Sequence, residues 1–229
     1  MEDIIGTRWR AVLHDKKWLK LLRRAQIFRY IPFVDLVLVA GSMATGEVSS
    51  SSDFDIIVGV QKGRMFTARF FLILTLDIFG WRRKNLDHGE ASRDTLCLNH
   101  FVTESRYELR EPHGLYWKQL YQSLVPLYGT VSIVEAFYRA NGGWIGERAY
   151  SDDLRHKYRN PSKIKVFFEK IFESTVGDWL EKRLRAPQLR RIKTKLLPRA
   201  GYKPRLIVSD EELELHLDTK RIEEFESRG

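Results

Sequence analysis

Residues 39–60, VAGSMATGEVSSSSDFDIIVGV, hold the side chains of this chain whose types and spacing suit chemistry. Asp53 and Asp55 stand one residue apart at the head of an apolar run, ten residues after the pair Gly41 and Ser42. On a strand, positions i and i+2 point the same way, so the two carboxylates share a face. Charged side chains are rarely buried without a partner, and close carboxylates raise each other's pKa unless a cation compensates. Mg²⁺ suits such a pair, because it takes one or two carboxylates together with substrate phosphates. Gly41 ends a buried strand where a short helix begins. A glycine there lets an anion approach the backbone N–H groups of the helix start, and Ser42 adds a hydroxyl donor. A phosphate cradle beside a carboxylate pair is a place for a metal–nucleoside triphosphate. One metal would bridge the phosphates and a second would activate an attacking hydroxyl. The structural alternative is a polar SSSSD loop capped by Asp53. It explains Asp55, inside the strand, least well.

Other chemistries find little support. Gly41 and Gly46 have the separation of a P-loop, but Glu47 and Val48 stand where Lys and Ser/Thr are needed. No dinucleotide fingerprint and no GxSxG elbow is present. The six histidines show no HxxxH or HExxH spacing, and Cys97 is the only cysteine, which argues against a zinc site and excludes an intrachain disulfide.

The elements that must hold these residues follow from periodicity. Residues 8–30 read as an amphipathic basic helix stopped by Pro32. Residues 34–40 and 55–60 read as buried strands, 64–79 as a mostly apolar helix, 82–94 as a polar loop or hairpin arm and 95–102 as a third strand. Beyond Pro112 helices are expected at about 113–125, 130–140, 162–185 and 188–197. The segment PRLIVSDEELELHLD suits a short strand, but Ser209 and Glu212 have capping-box spacing, so a helix starting there is the alternative.

The string GSMATG…SSSDFDI, with a strand on either side, resembles the signature of the DNA polymerase β-like nucleotidyltransferase superfamily. The likeness is to its minimal prokaryotic members, among them nucleotidyltransferase-type antitoxins and aminoglycoside nucleotidyltransferases. It covers roughly residues 30–102. The resemblance implies an α+β fold, with a small mixed sheet flanked by helices and followed by a mainly helical C-terminal region. The boundary is expected near residue 110, giving a core of 1–110 and a second unit of 111–229. It implies that Gly41 and Ser42 hold the triphosphate, ATP or another NTP, and that Asp53 and Asp55 are catalytic and ligate Mg²⁺ or Mn²⁺. The family usually carries a third carboxylate on a later strand. Here strand 95–102 offers Asn99, which can lend an oxygen to a metal but cannot take a proton. Asp94 and Glu104 flank that strand, and Asp87 and Glu90 precede it. Alternation sets His100 on the face away from Asn99.

The composition bounds the rest. The 229 residues carry a net charge of +9, and 43% are hydrophobic, enough for a real core and for a polyanionic partner. Ten Lys and Arg residues lie between 182 and 205 with no acid among them; such a run tracks an RNA backbone or simply solvates a helix face. No signal peptide or membrane span is evident, so a cytoplasmic location is the expectation. The functional expectation is transfer of a nucleoside monophosphate to an acceptor hydroxyl on RNA, a small molecule or a protein, with release of pyrophosphate. The alternative is a catalytically degenerate relative that binds nucleotide or RNA without chemistry.

Overall fold

Apolar runs rich in β-branched residues form the middle of a six-stranded mixed sheet: Val34–Val39 (β1), Phe54–Val60 (β2) and Leu96–Val102 (β3). The structure is a computed structural model that describes residues 2–84, 92–146 and 160–227. β1 runs antiparallel to β2, and β2 parallel to β3. Both β1 and β2 are buried on both faces, which is why they read as continuous apolar runs rather than alternating ones.

The second half of the chain completes this sheet. Val125–Tyr128 (β4) pairs with the free side of β1, and the hairpin Arg205–Val208 (β5) and Glu212–His216 (β6) pairs through β6 with the free side of β3. The strand order is β4-β1-β2-β3-β6-β5. The expected boundary near residue 110 therefore does not coincide with a break in the sheet. β4 carries Pro126, and a proline that cannot donate to a ladder is tolerated at an edge. Ser209 and Glu212 use their capping chemistry in a hairpin turn instead of a helix: Ser209 Oγ accepts the backbone N–H groups of Glu211 and Glu212.

Helices cover both faces. On one side lie Glu2–Arg24 (α1), Met65–Ile78 (α3), Lys163–Phe172 (α6) and Thr175–Arg191 (α7), over a core that includes Leu21, Val37, Ile56, Val58, Phe66 and Phe101. The helix expected over 162–185 is two helices, because Ser174 caps a new start by accepting from Val176 N–H. On the other side lie Leu115–Ser123 (α4) and Val131–Ile145 (α5), over Leu36, Leu38, Ile57, Val102 and Phe137. A five-residue helix, Gly41–Thr45 (α2), follows β1, and Lys220–Glu226 (α8) ends the described chain. Glu226 accepts the N–H groups of Leu115 and Tyr116 and so caps α4. No helix among the described residues is long and apolar enough to cross a membrane.

Candidate functional site

Asp53 and Asp55 lie at the head of β2, where the chain leaves the polar loop. Phe54, Ile56 and Val58 point into the core beneath α1 and α3. Asp55 therefore shares the other face with Ile57, toward α4. Ala40 N–H donates to Asp55 O at 2.9 Å and sets the turn after β1 against β2. Gly41 sits in that turn at φ +59°, and a Cβ there would lie 2.3 Å from Asp55 Oδ2. Two independent requirements thus demand glycine: the left-handed backbone and the carboxylate pressed against it. Ser42 follows in the first turn of α2, half-buried.

Two further side chains complete its inner shell, one of them from the basic stretch WRRKN, 81–85, that the sequence sets near the site. Arg83 Nη1 donates to Asp53 Oδ2 at 2.7 Å, both side chains about one-tenth exposed at 10% and 9%. Cys97 is directly opposite Asp55 in the β2–β3 pairing, and donor atoms of Asp53, Asp55 and Cys97 all lie within 4.8 Å of one another. Burial, and then the charge of Asp53, push the Asp55 carboxyl up to about 7, while Arg83 and a hydrogen bond with Cys97 pull the other way. Burial, then Asp55 and Asp53, push the Cys97 thiol up as well. Tyr116 on α4 feels the same charges: burial, then Asp55 and Glu47, raise its phenol to about 12. The two carboxylates offer hard oxygen donors that fit Mg²⁺ or Mn²⁺. A protonated thiol does not fit such an ion.

On β3 the neighbour of Asp55 is thus Cys97, not Asn99. An irregularity between the pairs Asp55–Cys97 and Ile57–His100 sets three residues of β3 against two of β2. This bulge places His100 opposite Ile57, on the Asp55 face, where simple alternation from Asn99 had put it on the other. Asp94 is committed elsewhere. It accepts from Lys17 at 2.7 Å and Lys20 at 2.5 Å, and its backbone oxygen accepts from Arg24, so it fastens α1 to the entrance of β3. Burial opposes its ionisation, but the two lysines outweigh that and hold its carboxyl below the usual range. Glu104 lines a cavity of about 400 Å³ with Asp35, Gln61, Lys62 and Tyr107, at the far end of β2. Asp87 and Glu90 lie outside the described residues.

A second polar group lies further along the same face. Leu213 and Leu215 of β6 enter the core beneath α7, which leaves Glu212, Glu214 and His216 on the Asp55 side. His100 is the strand partner of Glu214. Arg205 Nε donates to both oxygens of Glu214 at 2.9 Å and its guanidinium stacks over Trp117 at 4.9 Å. Arg110 Nε is 2.8 Å from Glu212 Oε2.

The basic segment 182–205 is on the surface, but it is anchored through Leu184, Leu189 and Ile192 to the core on the opposite face from Asp55. Arg185 pairs with Asp210, Lys203 with Glu223 and Arg205 with the buried Glu214. Most of the other cations of the run are exposed.

No protein-family model, curated protein or solved structure matches the chain.

Proposed function

We propose that the protein transfers a nucleoside monophosphate from an NTP to an acceptor hydroxyl and releases pyrophosphate. One observation carries this reading: the carboxylates of Asp53 and Asp55 lie close together, Asp55 is pressed against Gly41, and it is raised to about 7 by burial and by its neighbour. Such a pair is costly unless it serves a cation. In this reading Asp53 and Asp55 hold Mg²⁺ or Mn²⁺. Gly41 keeps the backbone clear for the triphosphate and Ser42 donates to it. When bound, the metal would neutralise phosphate charge and lower the pKa of the acceptor hydroxyl. Arg83 is the internal counter-ion of Asp53. The exposed cations of α7, among them Arg183, Arg190 and Arg191, belong to a helix on the opposite sheet face, so an RNA acceptor engaging them would wrap an edge of the sheet to reach Asp55.

The test is incubation with each labelled NTP and Mg²⁺ or Mn²⁺, followed by separation of RNA, protein and small molecules. Transfer of label is expected, and its loss in Asp53→Ala and Asp55→Ala with folding intact. Full transfer by both variants overturns the assignment.

A second reading is favoured by Arg83 on Asp53 and by Cys97 in place of a carboxylate beside Asp55. It is a nucleotidyltransferase-like binding protein that holds Mg–NTP without chemistry. Calorimetric binding of NTP with Mg²⁺, with no pyrophosphate from a broad panel of acceptors, distinguishes it.

A further inference from the structure

We infer that His100, Glu214 and His216 form a zinc site, distinct from the aspartate pair and independent of the nucleotidyltransferase reading. A ring nitrogen of each histidine and a carboxylate oxygen of Glu214 all lie within 4.8 Å of one another. His216 Nε2 is 3.4 Å from Glu214 Oε1. Two donors about 2.1 Å from a tetrahedral ion are about 3.4 Å apart, so this pair already has the spacing that a shared zinc imposes.

An independent observation points into the cluster. His100 is 3% exposed, and its Nε2 makes no hydrogen bond among the described residues. A buried ring nitrogen without a hydrogen bond costs free energy that an ion at this place would relieve. Glu212 Oε1 lies 3.7 Å from it.

The surroundings fit a divalent ion. Glu212 and Glu214 are 1% and 0% exposed, and each is held from outside by an arginine, Arg110 and Arg205. Arg205 can keep one oxygen of Glu214 while the other turns to the metal, the arrangement in which outer hydrogen bonds orient a ligand. Two imidazoles with a carboxylate select zinc over Mg²⁺, which avoids nitrogen donors. With ligands on β3 and β6, the ion would fasten the C-terminal hairpin to the centre of the sheet.

The experiment is titration of chelator-stripped full-length protein with Zn²⁺ against a chromophoric competitor, together with absorption spectra of the Co²⁺ form and thermal melts. One equivalent of Zn²⁺ is expected, with Tm raised by several degrees. Affinity should persist in an Asp53→Ala/Cys97→Ser background, which removes the other cluster. It should fall about 100-fold or more in His216→Gln and in His100→Gln. Because His100 is deeply buried, His216→Gln and the wild-type Co²⁺ spectrum decide the matter if His100→Gln fails to fold. Intense visible bands of a low-coordinate nitrogen-bearing site support the assignment, and the weak bands of six-coordinate oxygen ligation overturn it. Absence of stoichiometric Zn²⁺, unchanged affinity in His216→Gln, or loss of binding in the Asp53→Ala/Cys97→Ser background also overturns it.

Discussion

At Gly41 one methyl group separates a working turn from a blocked one. The added Cβ of Gly41→Ala would meet Asp55 Oδ2 and would sit at φ +59°. The expected cost is about 1–2 kcal/mol of stability, from the left-handed backbone alone, with a weakened response to Mn²⁺ because the carboxylate must move. Denaturant unfolding and Mn²⁺ titration measure the two effects. Asp55 makes a pH prediction of definite sign. Its folded pKa of about 7 lies above the ordinary value of 3.8, so between those pH values the folded state holds a proton that the unfolded state has lost. In chelator, Asp55 therefore costs no stability below about pH 4 and costs progressively more as pH rises through 7. Asp55→Asn should flatten that slope, stabilise the metal-free protein at pH 8 by up to about 4 kcal/mol and abolish any stabilisation by Mg²⁺. Unfolding curves at pH 4.5 and 8, with and without metal, check this; an unchanged slope in Asp55→Asn would refute it. A substitution that stabilises the protein and removes metal response is the mark of a carboxylate placed for function.

At the scale of elements, α1 depends on Asp94. Lys17 is only 3% exposed and its ammonium is held by Asp94 and Ser52 O. Asp94→Ala leaves a buried cation without its counter-charge, for which about 3 kcal/mol is expected. Thermal melts should show the loss, and hydrogen exchange should show faster exchange in α1. Helix α4, which carries Tyr116 over the aspartates, is capped by Glu226 from α8. Glu226→Ala should cost about 1 kcal/mol, and an unaltered Tm would show that water substitutes for the cap. The strands that sequence reasoning found are β1, β2 and β3, whose apolar runs are long. It passed over β4, four residues with a proline between two helices, where local pattern is too short to register. It left β5 and β6 open because the Ser209–Glu212 spacing serves a helix start and a tight turn equally well.

The whole molecule is organised by one sheet. Residues 1–110 supply its middle, and residues 111–229 supply β4 on one side and β6 with β5 on the other. A fragment ending at residue 110 would expose the free edges of both β1 and β3, together with the apolar face that α4 and α5 cover. The full chain should therefore melt in one cooperative transition, and the 1–110 fragment should show none by circular dichroism. A cooperative melt of the fragment would place a boundary at that point.

By itself the sequence determined the stretch that carries the candidate site. Gly41, Ser42, Asp53 and Asp55 lie within fifteen residues, where β1 gives way to α2 and where β2 begins, and local periodicity governs both the strands and the faces on which the aspartates stand. The α+β class followed from the same patterns. Only the tertiary structure decided what surrounds them. Arg83 reaches Asp53 from a separate segment, Cys97 takes the place beside Asp55 through the β2–β3 pairing, and a bulge in β3 brings His100 opposite Ile57. His100 meets Glu214 and His216 although more than a hundred residues separate them, and no HxxxH spacing announces them. Strand pairing between distant segments brings such side chains together, and pairing register is a property of the assembled sheet rather than of any one strand.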